Sequence, residues 1–206
     1  MRRLAMMTAA LLLFGGVSQA LGQRRFEFGG KVGPSFTDIA LDEDDGQTYE
    51  RRIAGAGGGF FKLPLAGPVA LQVEALTTPK GSRLIGSDGV NQTLMLRYVE
   101  MPVLLRVDGQ EEGGWYLFGG GYFAIRTSAK VQISFVDNSI SSGTREDAGD
   151  AVERFDHGWV AGAGYDLGRY LLVEGRYARG LPNVNRVDGT IGFTNRALTF
   201  MVGARF

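Results

Sequence analysis

The chain has 206 residues, a length that suits one domain. Its 22 basic and 22 acidic side chains balance, which excludes the basic excess expected of a nucleic-acid binder. It has no Cys, which excludes a disulfide frame, a thiolate metal site and a thiol nucleophile, and its mean hydropathy of −0.03 excludes a bundle of membrane helices. A membrane barrel stays open, because only alternate residues of its strands meet lipid.

The N-terminus reads Met1-Arg2-Arg3, an apolar run over 4–14, then Ser18-Gln19-Ala20. A basic start, a short apolar stretch and small residues make a secretory signal, with cleavage expected after Ala20 or, as the second option, after Gly22. The apolar run is too short for a comfortable membrane anchor, which needs about 20 residues. Residues 1–20 are therefore expected to leave, and 21–206 to form the mature domain. Losing Arg2 and Arg3 takes the 22 basic residues to 20 against 22 acids, a formal −2. No later stretch is apolar enough to span as a helix, so a membrane location requires a barrel.

Eight candidate strands follow, over 26–40, 50–63, 69–80, 93–107, 115–135, 154–165, 170–181 and 192–206. Period-2 alternation is the signal. It is plainest at the end, where Leu198, Phe200, Val202, Ala204 and Phe206 oppose Thr199, Met201, Gly203 and Arg205. Glu27 and Lys31 oppose Phe26, Phe28 and Val32, while Gln72 and Glu74 oppose Leu71, Val73 and Ala75. Tyr98 and Glu100 oppose Val99, Met101 and Val103. Strands two and five are too rich in Gly and aromatics for their faces to be read. The segments 41–49, 81–92, 136–153 and 182–191 are long and polar. Those at 64–68, 108–114 and 166–168 are shorter. Short turns alternating with long loops, and an even strand count, describe an all-β, eight-stranded antiparallel up-and-down transmembrane β-barrel. Both termini then lie on the short-turn side, in the periplasm. The alternative is a soluble barrel of the lipocalin kind, with its apolar face inward. The 32 Gly, set within apolar runs such as 54–61, favour the tight wall of a small closed barrel.

Several motifs carry a family resemblance. Leu71-Gln72-Val73-Glu74-Ala75-Leu76 runs on to Pro79-Lys80-Gly81. Tyr98-Val99-Glu100-Met101-Pro102 leads into Val103-Leu104-Leu105-Arg106. Gly162-Ala163-Gly164-Tyr165-Asp166 precedes Glu174-Gly175-Arg176-Tyr177, and Asn195-Arg196 opens the segment that closes on Arg205-Phe206. In order and spacing these resemble strands of the outer-membrane β-barrel family of the Bacteroidetes and their relatives, which includes PorT-like proteins. The resemblance covers nearly all of 21–206. It implies the cell outer membrane of a Gram-negative bacterium, and it implies little about activity, because the family is functionally broad.

An eight-stranded barrel has room inside for little more than its own side chains. Parity sends Glu27, Lys31, Glu74, Glu100, Arg106, Glu174 and Arg176 inward. Unpaired charge in a narrow lumen is costly, so a charge network is expected, centred on Glu74, Glu100, Glu174 and Arg176. It would plug the barrel or, alternatively, line a narrow porin-like ion path. Arg97, Arg179 and Arg196 fall on the outward face near the long loops, with Arg51 and Arg83 close in sequence. They are candidate contacts to phosphate of lipopolysaccharide, with ordinary snorkelling as the alternative. The acidic stretch Asp42-Glu43-Asp44-Asp45-Gly46 lacks the spacing of a calcium loop and reads as solvated.

Lipid-modifying enzymes of this size need a nucleophile or an acid–base pair. The single His is His157, beside Asp156, which could orient it, and Ser134 or Ser141 could in principle approach. That is too thin, and no enzyme activity, cofactor or metal is expected. The expected role is non-enzymatic: envelope structure, or contact with a protein partner through loop 136–153 with its Asp137, Asn138, Ser139, Ser141, Ser142 and Thr144. A monomer is expected, with the C-terminal strand ending at Phe206 as the segment read by the barrel-assembly machinery.

Overall fold

A computed structural model describes residues 26–41, 48–81, 83–85, 90–109, 114–135, 143–147, 153–181 and 193–206. The stretch read as an export signal, the acidic stretch at 42–46 and the segment 182–191 lie outside these. The alternating segments form strands: β1 (Glu27–Leu41), β2 (Thr48–Glu50), β3 (Arg52–Ala66), β4 (Val69–Lys80), β5 (Arg83–Ile85), β6 (Val90–Asp108), β7 (Gly114–Phe135), β8 (Gly143–Asp147), β9 (Phe155–Leu167), β10 (Leu171–Gly180) and β11 (Phe193–Arg205).

Eight of them, β1, β3, β4, β6, β7, β9, β10 and β11, each pair antiparallel with their neighbours in the chain. The first and last then pair with each other, Gly29 opposite Arg205 and Leu41 opposite Phe193, and the ring closes. The fold is a closed eight-stranded up-and-down barrel. Glycines with positive φ, Gly67 at 54° and Gly168 at 68°, make the tight β3–β4 and β9–β10 turns. The chain ends lie at this same short-turn end, where Phe28 and Phe206 exchange backbone hydrogen bonds of 3.1 and 2.8 Å.

Three short strands stand where only loop was expected. At the opposite end β2 pairs with β5, β5 with the start of β6, and β8 with the end of β7. β7 has 22 residues and so runs about 73 Å at a rise of ~3.3 Å per residue. A hydrocarbon layer is only about 30 Å thick. β6 and β7 therefore carry their ladder well past the wall, and β2, β5 and β8 add to it as a five-stranded sheet, β2-β5-β6-β7-β8.

Burial decides which face is which. Phe28, Val32, Ile53, Val103, Leu105, Trp115, Leu117, Tyr165, Phe200 and Val202 all face out and are exposed. Lys31, Gln72, Glu74, Lys80, Glu100, Arg106, Asp156, Glu174 and Arg176 face in and are buried. A soluble barrel would have these reversed. The wall holds large inward aromatics because a glycine faces each one on the next strand: Phe60 opposite Gly29, Tyr116 opposite Gly164, Phe118 opposite Gly162, Tyr122 opposite Gly158. A Cβ would lie 2.7 Å from the Phe60 ring at Gly29, 2.5 Å from that of Phe118 at Gly162 and 2.8 Å from that of Tyr122 at Gly158. Much of the glycine content is thus space for rings lying flat on the wall.

Candidate functional site

The inward side chains form three stacked layers. The middle one is a quartet. Lys31 Nζ donates to Glu74 Oε1 at 2.7 Å and to Glu174 Oε1 at 2.9 Å. Arg176 donates through Nη1 to Glu74 Oε2 at 2.7 Å and through Nε to Glu174 Oε1 at 2.9 Å. Gln72 Nε2 adds a bond to Glu74 Oε1, and Tyr116 Oη donates to Glu174 Oε2 at 3.2 Å. β1, β4, β7 and β10 are thereby tied across the lumen.

Towards the short turns, Arg106 bridges Asp108 and Asp166, and Arg205 bridges Asp166 and Glu27. Lys62 joins Glu27 at 3.2 Å to Asp108 at 3.1 Å. The Arg106 guanidinium lies 3.5 Å from the centre of the Tyr116 ring, where cation and ring face attract. Towards the long loops, Lys80 Nζ meets Asp156 Oδ2 at 2.8 Å, Glu100 Oε2 at 3.2 Å and Tyr122 Oη at 3.1 Å. Asn195 Nδ2 donates to Asp156 Oδ2 at 3.0 Å. Named cations and carboxylates balance in the lower two layers. In the upper one Lys80 faces two acids.

All seven expected lumen residues, Glu27, Lys31, Glu74, Glu100, Arg106, Glu174 and Arg176, point inward. They do not form one network. Glu100 is opposite Leu76 in the β4–β6 register, one inward position above Glu74, and so meets Lys80 rather than Arg176. Glu27 and Arg106 belong to the layer at the short turns. The expectation missed Lys62, Lys80, Asp108, Asp156, Asp166 and Arg205. Parity with Glu74 would have found Lys80. Parity with Gly162 and Gly164 would have found Asp156 and Asp166.

A family described as the outer membrane protein beta-barrel domain matches residues 17–186. The chain belongs to that family. Its location is the outer membrane, and its outward apolar band is the surface that meets lipid hydrocarbon. No curated protein sequence matches the chain. Among solved structures it is similar to Ail, the attachment invasion locus protein of Yersinia pestis, at 11% identity and TM-score 0.47, over 89% of this chain and 100% of that one. It is also similar to OprG from Pseudomonas aeruginosa, at 13% and 0.48, over 88% and 95%. Neisserial surface protein A stands at 8% and 0.46, over 88% and 97%. At such values these likenesses carry no functional argument.

On the outside of this outer-membrane barrel, Trp115, Tyr165, Tyr170 and Phe206 ring the short-turn edge of the apolar band and are exposed. Such aromatics mark a membrane–water interface. At the other edge the outward positions are Asp38, Arg51, Arg97, Arg179 and Arg196. The side chain of Arg83 lies outside the described residues. Arg97 on β6 faces Pro79 on one side and Ser128 on the other, whereas Arg179 and Arg196 face each other across β10 and β11. The candidate arginines thus do not form a single belt.

His157 and Asp156 are neighbours on a strand and so point to opposite faces. Asp156 is wholly buried in the lumen and His157 is exposed on the wall, so the acid cannot orient the imidazole. Ser141 and the side chain of Ser134 lie outside the described residues. Among the described residues no cluster of His, Asp and Glu has a metal-binding arrangement.

Proposed function

We propose that the protein is a non-enzymatic envelope barrel with a side-chain-filled lumen, which presents the sheet at its long-loop end to a protein partner outside the cell. The observation that carries this reading is the lumen itself, crossed by three successive ion-paired layers that tie opposite walls together. The projecting β6–β7 ladder supports the contact role. Its added sheet ends in two edge strands, β2 and β8, whose backbone groups can pair with an extended partner segment. Export by residues 1–20, termini in the periplasm, a PorT-like affiliation and recognition of the strand ending at Phe206 by the assembly machinery belong to the same reading.

A narrow channel is the second reading, and a specific observation favours it. Gln72 Oε1, Asp156 Oδ1, Asp166 Oδ1 and Asn195 Oδ1 are buried acceptors with no hydrogen-bond partner among the described residues. They occur in all three layers, as a chain of water or cation sites would require. Conductance of the refolded protein in a planar bilayer separates the two readings. The filled barrel predicts silence from protein whose gel mobility shows heat-modifiable folding. Discrete openings, cation-selective because Lys80 faces two acids and reduced by Asp156→Asn, would replace it with the channel.

A further inference from the structure

The outer wall of β9, β10, β11 and β1 carries a feature that neither reading of the lumen uses. Strand register places Trp159, Arg179, Arg196 and Asp38 in one row across these four strands. Arg179 and Arg196 are direct cross-strand partners, and like charges in that relation repel. Arg196 Nη2 donates to Asp38 Oδ2 at 3.2 Å, which offsets one of the two charges. Arg179 is exposed and makes no ion pair among the described residues. The row marks the edge of the apolar band, since the next outward positions are Ala161, Tyr177, Leu198 and Phe36. Two guanidinium groups held side by side at a lipid edge suit one phosphate, which accepts from both and removes their repulsion.

Below the row the wall is hollowed. A shallow, open groove of about 520 Å³ lies on the lipid side, with Pro34, Ala163 and Gly175 as its small residues and Val173, Phe200 and Val202 beside them; the Phe200 ring borders the space over Gly175, 3.4 Å from where a Cβ would stand. Gly175 lies four residues along β10 from Arg179, about 13 Å at ~3.3 Å per residue. Tyr177 stands in the row between the charges and the groove, its ring 5.5 Å from that of Trp159 in the charged row. Arg97 has no arginine as a direct cross-strand partner, since it faces Pro79 and Ser128; its arginine neighbour is the half-buried Arg52.

We propose that this wall binds a phosphate-bearing membrane lipid from the leaflet on the long-loop side. Its phosphate lies across Arg179 and Arg196, and an acyl chain descends into the groove at Gly175. Charge complementarity selects the headgroup, and the groove selects a chain over a free anion.

Trp159 is the reporter. The chain has two Trp, and Trp115→Phe leaves only the one beside the site. That variant, folded in phosphatidylcholine vesicles, is titrated with phosphatidylglycerol carrying brominated acyl chains, which quench indole, and separately with brominated phosphatidylcholine. Quenching by the anionic lipid is expected to saturate at a mole fraction about tenfold lower, the equivalent of ~1.4 kcal/mol. Arg179→Gln with Arg196→Gln abolishes that preference. Arg97→Gln leaves it unchanged, and Gly175→Leu, which fills the groove, lowers the limiting quenching. Should the double variant fail the heat-modifiability control, Arg179→Gln alone keeps the Arg196–Asp38 pair and reads the same loss. Equal curves for the two lipids would overturn the proposal. So would an equal loss from Arg97→Gln, which signals general surface charge, or displacement by free glycerol phosphate, which signals a site for a soluble anion.

Discussion

Arg176 and Lys31 each donate to both Glu74 and Glu174, so every charge of the middle quartet faces two of opposite sign. Removing one cation leaves two enclosed carboxylates sharing the other. Arg176→Met is therefore expected to cost about 3–5 kcal/mol. Urea unfolding in detergent micelles reads this as a lower midpoint at unchanged slope; an unshifted midpoint would show that the lumen supplies a substitute charge. The glycines allow a cleaner contrast. A Cβ at Gly162 would sit 2.5 Å from the Phe118 ring and against the Gly175 carbonyl, whereas nothing lies within 4 Å of one at Gly55. Gly162→Ala should destabilise by about 1–3 kcal/mol. Gly55→Ala should be neutral or stabilise by a few tenths, up to about 1 kcal/mol. Equal effects in the same unfolding assay would refute the account of rings lying on glycine. Alternation made the inward faces of Glu74, Glu100, Glu174 and Arg176 legible in the sequence. It gives a face and not a height, which is why Glu100 could be assigned to the lumen but not to Lys80.

The faces of the strands were legible wherever one was apolar and the other polar, as in β4, β6, β10 and β11. The faces of β3 and β7 were not, although both segments read as strands. In β7 Tyr116, Phe118 and Tyr122 face in while Trp115, Leu117 and Phe123 face out, so both faces read as apolar. Only the glycines of β9 opposite those inward rings break the tie. The short β2, β5 and β8 were unreadable for another reason. They owe their strand form to pairing with the overlong β6–β7 ladder, and local pattern carries no trace of that. The apolar outer face of β6 has a direct test. Val103 is half exposed, and Val103→Arg would put a guanidinium in hydrocarbon. A loss of about 2–4 kcal/mol is expected for folding into vesicles if the position lies near the midplane. A variant as stable as the parent would mean that this face does not meet lipid.

Closure is a property of the whole molecule. β11 joins β10 to β1, and without it two strands would show unpaired backbone groups to lipid. Hydrocarbon does not tolerate an open sheet edge. Deleting residues 193–206 should therefore abolish the heat-modifiable band; a truncated chain that still folds in vesicles would argue for closure between β1 and β10. The sequence by itself determined the barrel class, the number of wall strands and about half of the inward charges, because alternation and loop length are local and repeat around the ring. Only the tertiary structure decided which charges meet, which glycines carry rings, where β6 and β7 outrun the membrane and that Arg179 stands beside Arg196. Those depend on register, and register is set by closure of all eight strands at once.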